Sequence, residues 1–520
     1  MKDGQAEGKL RLAELIAALS LATDLGMGQP MEKAMRSCLI ALGLGRRLDT
    51  DAATLSDIYY LALLEHIGCT SHASEWASYV GGDEIAMRRH AVIFSNSPMG
   101  EVMAAFIRHI GEGLPLRQRA TLVAAMMRDG DSRFKHIAAT NCEAAVCLAQ
   151  RMHLSPGVLA SLGQTLENWN GKGGPAQLKG DQISLPMRVV SVAHDAEVFE
   201  RIGGLDACRA AVKKRRGAGY DPDVADAFQR FAAEIFAELP ADRLHEAALA
   251  AEPEPKVRIP ASGLDGLARA FADFIDLKSP YTTGHSTGVA ELAEGGARQA
   301  GCTEAEVAAL RQAALLHDLG RVAVPNGIWD APRPLLTAEW ERVRLHPYHT
   351  DRILQHAAPL RPLATLASSH HERIDGSGYH RGSVAAHLPL AARLLGAADA
   401  YQAMTQERPH RPALAADAAA RELRAQFDAG RLDGAAVECI LEAAGHARRH
   451  ARTQLPAGLS EREVEVLRQI CLGHSNRQMA DRLHIAEKTV GHHVQHIYNK
   501  IGRSTRAGAA LFAMENNLIH

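Results

Sequence analysis

Alanine and leucine recur at helical spacing along nearly the whole chain, and alternating β-branched runs are few, so the pattern predicts an almost entirely α-helical protein. Thr303-x-x-Glu306 reads as a capping box, and Val307, Leu310, Ala314 and Leu315 carry one apolar face from it to His317-Asp318. That pair falls near the end of a buried helix. Two stretches interrupt the pattern: Ala251-Glu-Pro-Glu-Pro-Lys256, whose prolines and charges forbid a continuing helix, and the basic run from His446 to Pro456. They divide the chain near 1–250, 257–450 and 456–520, consistent with a soft prior of about 150 residues per domain.

The first two segments are related. Glu167-Asn-Trp-Asn-Gly171-Lys-Gly173 resembles Glu372-Arg-Ile-Asp-Gly376-Ser-Gly378, and the arginines of Leu185-Pro-Met-Arg188 and Leu388-Pro-Leu-Ala-Ala-Arg393 align. Each matched pair is 205 positions apart, so one register runs through the whole stretch and duplication is the simplest explanation. Ala62-Leu-Leu-Glu-His66-Ile67-Gly68 resembles Ala314-Leu-Leu-His317-Asp318-Leu-Gly320 at a larger offset, which implies an insertion in the first copy.

Composition narrows the classes. A formal net charge of −2 announces neither a global nucleic-acid binder nor an acidic tail, so any DNA-binding surface must be local. No apolar run approaches the roughly 18 residues that span a bilayer. Glu7, Arg11 and Glu14 rule out a signal peptide in the first twenty residues, and the expectation is a cytoplasmic protein without membrane contact. Eight cysteines without a Cys-x-x-Cys pair fit a reducing compartment and are expected as packing residues.

Candidate chemistry lies in the second copy. His285, the His317-Asp318 pair, His346, the His370-His371 pair and Asp399 fall in or beside apolar helical segments, where burying so many polar groups is costly unless a metal offsets it. A single histidine on an apolar face is more often a core residue with a satisfied hydrogen bond, but seven such residues with two adjacent pairs reverse that preference. Imidazole with carboxylate suits iron, manganese or zinc, and an aspartate can bridge two ions. Two ions about 3.5–4 Å apart clamp a phosphoryl group and activate water for in-line attack.

These residues resemble the HD-GYP domain, an all-helical metal phosphohydrolase module whose usual substrate is cyclic di-GMP. The resemblance implies that His285, His317, Asp318 and Asp399 bind one divalent metal, and that His346, His370 and His371 bind the second with Asp318 bridging; iron or manganese is expected, zinc or magnesium possible. It also implies that Asp318 and Arg321 serve catalysis and that Asp375, Gly376, Gly378 and Tyr379 shape the loop over the site. Arg321 stands where the family carries a phosphate-contacting lysine, His380 replaces the signature proline, Tyr281 replaces a third-metal glutamate, and Gln402 replaces a second aspartate. In the first copy Thr165, Leu166 and His194 replace His370, His371 and Asp399, and Ile67 follows His66 where the second copy has Asp318 beside His317. It cannot assemble this metal site and is expected as a scaffold or dimerisation unit, or as a ligand-sensing domain to which Asn168-Trp169-Asn170 and a His66, His72, Glu75 cluster hint.

From Leu459 the pattern changes. Ser460 and Glu463 have capping-box spacing, Asn476–Leu483 gives a short helix, His484-Ile485-Ala486 a tight turn and Glu487–Lys500 a longer helix, a helix-turn-helix arrangement. The segment resembles the LuxR-type DNA-binding domain throughout its length. Eight Lys/Arg against six Asp/Glu leave it only +2, so weak, salt-sensitive non-specific affinity is expected. Arg477, Lys488, Thr489 and Lys500 are the phosphate-contact candidates, and His492, His493 and Gln495 the candidates for groove atoms. Ala486 stands where the family has a serine cap and Gly491 where it has a basic residue.

The expected architecture is all-α: tandem HD-GYP-like domains followed by a small four-helix helix-turn-helix domain. The expected function is a one-component, homodimeric DNA-binding regulator whose metal module binds or hydrolyses a nucleotide second messenger. With no receiver domain ahead of it, phosphorylation is not the expected input. The alternatives are a phosphodiesterase that uses DNA binding only for localisation, or a constitutive DNA-binding protein with a structural metal.

Overall fold

The computed structural model describes residues 9–94, 97, 99–447, 456–516 and 518. They form two compact units that divide after Arg448. Residues 448–455 of the second predicted linker, and Glu7, lie outside the described residues.

The first unit is helical, as the periodicity predicts, and several of its helices begin where short polar side chains cap them. Thr303 forms its capping box with Glu306 before the helix Glu304–Leu316, and Asp51, Asp83, Ser155, Ser184 and Asp433 each accept a backbone N–H at another helix start. The two repeats share one hydrophobic core, running from Leu12 to Leu441. A smaller core around Val80, Met87, Phe106, Ile110 and Met126 serves the inserted part of the first copy.

One element escaped the helical pattern. Lys9–Arg11 pairs antiparallel with Arg258–Pro260, Leu10 opposite Ile259. The stretch read as a linker between repeats is thereby a fixed strap: Glu252 is buried, bonds Arg11 and accepts the Tyr60 hydroxyl at 2.7 Å. Cys38, Cys142, Cys208 and Cys439 are buried, in agreement with packing, Cys69, Cys302 and Cys471 are half-buried, and Cys147 is exposed.

The duplication is visible residue by residue. Glu167 accepts the amides of Ala176 and Leu178, and Glu372 accepts those of Arg381 and Ser383, each 205 positions later. Gly171 and Gly376 share φ 78°. A Cβ on Gly173 or Gly378 would stand 2.4 Å from a backbone nitrogen of the same loop, so neither position accepts a side chain. Arg188 and Arg393 bond Asp221 and Asp433 at 2.8 and 3.0 Å.

The repeats meet at a buried ion pair. Lys278 donates to Glu84 at 2.9 Å with both side chains almost wholly inaccessible, and Glu84 also accepts the Asn326 amide at 3.0 Å. Beside it the Gly327 amide donates to the Gly82 carbonyl at 2.9 Å. Burial pushes the Lys278 ammonium below its ordinary pKa, and Glu84 opposes that shift. Removing one partner of such a pair strands a buried charge. Glu84→Ala is expected to cost about 3–5 kcal/mol, read as a lower midpoint in chemical denaturation of the full chain.

Candidate functional site

Five elements of the second copy deliver the seven predicted ligands to one place. His285 opens the helix His285–Gln299, His317 and Asp318 follow Glu304–Leu316, and His346 opens His346–Gln355. His370 and His371 follow Arg361–Ala367, and Asp399 lies inside Leu390–Thr405. Asp318 stands in the middle. Its Oδ2 faces His317 Nε2 at 3.6 Å and His285 Nε2 at 3.9 Å, while Oδ1 faces His346 Nε2 at 3.4 Å and His370 Nε2 at 3.6 Å. Asp399 repeats this sharing, with Oδ1 3.2 Å from His285 and Oδ2 3.7 Å from His371.

The outer nitrogens fix how these rings present themselves. His317, His346 and His370 bond through Nδ1 to the carbonyls of Ala314, Val343 and Ala367 at 2.6, 2.6 and 2.8 Å, and His285 Nδ1 to the Gln406 amide oxygen at 2.8 Å. A carbonyl only accepts, so each Nδ1 carries the proton and each Nε2 turns a lone pair inward. His346 and His370 then point two lone pairs at each other across 3.0 Å, and His317 Nε2 is buried with no hydrogen-bond partner. That arrangement is repulsive until a cation lies between the rings, and the residues therefore fit a metal.

Electrostatics agree with ligation. Burial, followed by the neighbouring His317 and His346, pushes His370 down to about 3, and burial with His370 holds His371 well below its ordinary value. Burial opposes ionisation of Asp318 and Asp399. It is outweighed at Asp318 by Arg321 and His317 and at Asp399 by His285 and His371, and both carboxyls stay far below the usual range. Neutral imidazoles and ionised carboxylates are the ligand forms.

The cluster opens into a cavity of about 690 Å³ lined by Arg321, Trp329, Tyr379 and Arg408 among others. Arg321 donates to Asp318 Oδ2 at 2.9 Å and lies 3.9 Å over the Trp329 ring. Arg408 faces the same space, donating to the Tyr281 carbonyl at 3.2 Å, and burial followed by the charge of Arg321 pulls it down to about 10. Tyr379 tilts against His371, ring centroids 4.8 Å apart. Asp375 does not reach the cluster; it accepts from Ser377 in an exposed turn and shapes the loop from outside. Gln402 packs against Gly288.

Arg408 and Gln406 escaped the sequence reading because they sit in an irregular segment, and Trp329 because its helix, Asn326–Trp329, is too short to show periodicity. The arginine- and proline-rich stretch Gln406–Pro412 was the available signal. Thr350 was missed as well: it accepts the Gly320 amide at 2.8 Å and donates to the His317 carbonyl at 2.9 Å.

In the first copy the counterparts stand in the same places with different chemistry. A Cβ on Gly68 would lie 2.0 Å from the Asn141 carbonyl, as one on Gly320 would from that of His346, so Asn141 is the counterpart of His346. Lys33, opening Lys33–Arg47 as His285 opens its helix, places Nζ 2.6 Å from His194 Nδ1, which lies 3.0 Å from Glu65 Oε2. An ammonium fills the position where the second copy gathers ligands. The expected His66, His72, Glu75 cluster does not form: His66 meets Glu65, His72 lies against Trp76, and Glu75 meets His136.

Among its described residues the second unit has four α-helices, Glu461–Cys471, Asn476–Leu483, Glu487–Ile501 and Arg506–Glu515, around Val466, Leu467, Met479, Val490 and Ile497. Ser460–Glu463 and Ser475–Gln478 are capping boxes, and Ala486 caps nothing. His484 takes φ 52°, which turns the chain between the middle helices. Arg477, Lys488, Thr489, His492 and Gln495 are exposed and His493 is half-buried. Lys500 is committed elsewhere, its ammonium donating to Glu463 at 2.7 Å and to the Gly458 carbonyl at 2.9 Å.

Buried imidazoles and carboxylates on a helical frame, opening toward two arginines, define an HD-type metal-dependent phosphohydrolase domain. The HD domain family matches residues 269–436, and the luxR family of bacterial regulatory proteins matches 457–513. The chain is 30% identical over 417 residues to the 3′3′-cGAMP-specific phosphodiesterase 3 of Vibrio cholerae, covering 80% of this chain and 90% of that protein. It is 37% identical over 148 residues to the cyclic di-GMP phosphodiesterase response regulator RpfG of Xanthomonas campestris, 28% of this chain and 39% of that protein. The crystal structure of a cyclic GMP-AMP specific phosphodiesterase of V. cholerae superposes with TM-score 0.58 at 26% identity, covering 85% of this chain and 99% of that one. The chain belongs to the HD-GYP family of phosphodiesterases and carries a LuxR-type DNA-binding domain. Among the described residues no helix is long and apolar enough to cross a membrane.

Thr350 gives a test of the frame that positions Asp318. Thr350→Val keeps the shape but leaves the Gly320 amide and the His317 carbonyl without that partner. The expected loss is about 1–3 kcal/mol in denaturation, with a lower metal content after purification.

Proposed function

We propose that residues 257–450 hold a binuclear divalent metal centre that hydrolyses a phosphodiester of a cyclic dinucleotide, and that residues 456–520 bind DNA. The observation that carries the enzymatic half is the divided carboxylate of Asp318, one oxygen toward His285 and His317 and the other toward His346 and His370. His285, His317, Asp318 and Asp399 would hold one ion, and His346, His370, His371 and Asp318 the other. The mixed nitrogen and oxygen set suits iron or manganese, with zinc or magnesium as further candidates. When bound, the ions supply Lewis acidity toward phosphoryl oxygens and lower the pKa of water.

The chain's own residues then bind and orient. Arg321 and Arg408 supply positive charge at the cavity for the phosphodiester oxygens. Tyr379 and Trp329 wall it. The water oxygen forms the new bond to phosphorus, one P–O bond to ribose breaks, and the departing oxygen takes a proton. Similarity along most of the chain to a 3′3′-cGAMP-specific enzyme, and along its catalytic part to cyclic di-GMP enzymes, makes both nucleotides test substrates.

We read the whole chain as a homodimeric regulator whose DNA binding answers to the nucleotide; the fusion of the two modules supports this. An enzyme that DNA merely localises is the competing reading, favoured by the complete ligand set.

Full-length protein loaded with iron or manganese should contain two ions per chain and turn over at least one of the two nucleotides. Asp318→Ala should lose both ions and all turnover, whereas Arg408→Ala should keep the metal and raise KM about tenfold. Wild type that holds two ions and cleaves neither nucleotide sinks the enzymatic proposal. For DNA, Lys488→Ala should weaken binding uniformly across sequences and reduce the salt slope by about 1 in a titration at varied salt. Promoter affinity that ignores both nucleotides refutes the regulatory coupling.

A further inference from the structure

The first copy has lost the metal ligands but kept a cavity at the same station. Its volume is about 460 Å³, within the roughly 300–1,000 Å³ range of small-molecule sites. Asn141 and Leu166, the counterparts of His346 and His371, line it together with His66, which the Gly68–Gly320 match sets at the place of Asp318, not of His317 as the sequence comparison suggested. The insertion absent from the second copy builds the opposite wall, where Trp76 stacks on Phe106 with centroids 5.5 Å apart and Phe134 stands beside them.

Three features of the lining specify an occupant. Arg88 is 4% exposed, bonds the carbonyls of Gly26 and Cys69, and has no ion pair among the described residues. Glu84, one turn earlier, is engaged with Lys278. A buried guanidinium without a carboxylate at a cavity wall calls for an anion. The side-chain oxygens of Asn141 and Asn168 are buried there without a hydrogen-bond partner among the described residues, and such groups suit the edge of a base. The aromatic wall suits its face, and Lys172 adds a second positive charge at the rim.

The helix Glu84–Ala91 connects this cavity to the catalytic copy. Arg88 and Ala91 line the cavity, while Glu84 at the other end holds Lys278 and the amide of Asn326. The segment that begins at Asn326 carries Trp329, the ring beneath Arg321.

We propose that the cavity of the first copy binds a purine nucleotide, cyclic dinucleotide or mononucleotide, without metal and without cleavage, and that the helix Glu84–Ala91 transmits its occupancy to the Trp329–Arg321 wall. Lys33 lies where hydrolysis would need metal ligands, so an occupant is held and not consumed. The proposal does not depend on turnover by the second copy.

The experiment uses the full chain stripped of metal with a chelator, so that binding at the catalytic centre and binding here separate. Cyclic di-GMP, 3′3′-cGMP-AMP and GMP are titrated in turn by calorimetry, and hydrogen exchange is followed in the 325–330 segment. At least one probe is expected to bind with one site per chain and to slow exchange in that segment. Asn168→Asp and Lys172→Glu, which add negative charge without opening a hole, should each weaken binding about tenfold, and His370→Ala should leave it unchanged. A preference among the probes tells cyclic substrate from linear product. The site is refuted if no probe binds the chelated protein, or if His370→Ala removes binding that both charge variants retain. Binding that leaves exchange at 325–330 unaltered refutes the transmission.

Discussion

The carboxylate of Asp318 is shared between two groups of imidazoles, and the second copy is arranged to keep it there. Carboxylate and rings arrive on different helices, so the centre exists only when those helices hold their mutual positions. Gly320, two residues on, lets the chain pass so close to His346–Gln355 that a Cβ would stand 2.0 Å from a carbonyl. Thr350 bonds that crossing from the other helix, to the Gly320 amide and the His317 carbonyl at once. Backbone carbonyls then orient the rings, a service any helix end can provide. The chemistry is borne by side chains, but its geometry comes from main chain.

This division explains what duplication kept and what it released. In the first copy Gly68 makes the same close crossing and Glu167 closes the same loop, because losing either would disturb the helical frame. The ligands carry no such duty once metal is absent. Lys33 approaches His194 at 2.6 Å, and Glu65 lies 3.0 Å from the same ring nitrogen, so an internal cation takes over part of the charge balance at the former centre. The frame is retained by packing; the site was free to change.

The sequence made the frame and the ligand set legible for different reasons. Helices were readable because apolar spacing and caps such as Thr303 are local signals, and the 205-residue register exposed the repeat before any contact was known. The seven-residue cluster was readable because polar pairs inside apolar helices conflict with their surroundings unless something joins them. What stayed hidden depends on long-range contact. Lys9–Arg11 is too short to show alternation and finds its partner nearly 250 residues away. Arg408 lies in an irregular segment and Trp329 in a single helical turn, and nothing local says that a positive charge and a ring will meet Arg321 at one cavity. Lys500 shows the same limit: nothing local says that Glu463, on another helix, will hold its ammonium.

Arg321 shows how a single replacement redistributes roles. A lysine there would present a compact charge on a flexible stem, able to reach a ligand as a point contact. The guanidinium is planar, so it can lie 3.9 Å above Trp329 and still donate to Asp318 at 2.9 Å. Those two engagements hold it against the wall and help keep the Asp318 carboxylate ionised, at some cost in freedom to move. Arg408 stands across the cavity without a carboxylate partner among the described residues, and its depressed pKa reflects burial and the proximity of Arg321. A phosphodiester entering there would relieve the repulsion between the two cations. The positive charge at the cavity is thus divided between an arginine fixed beside Asp318 and a second arginine on an irregular segment. Trp329 joins the fixed one to the segment that the first copy holds through Glu84.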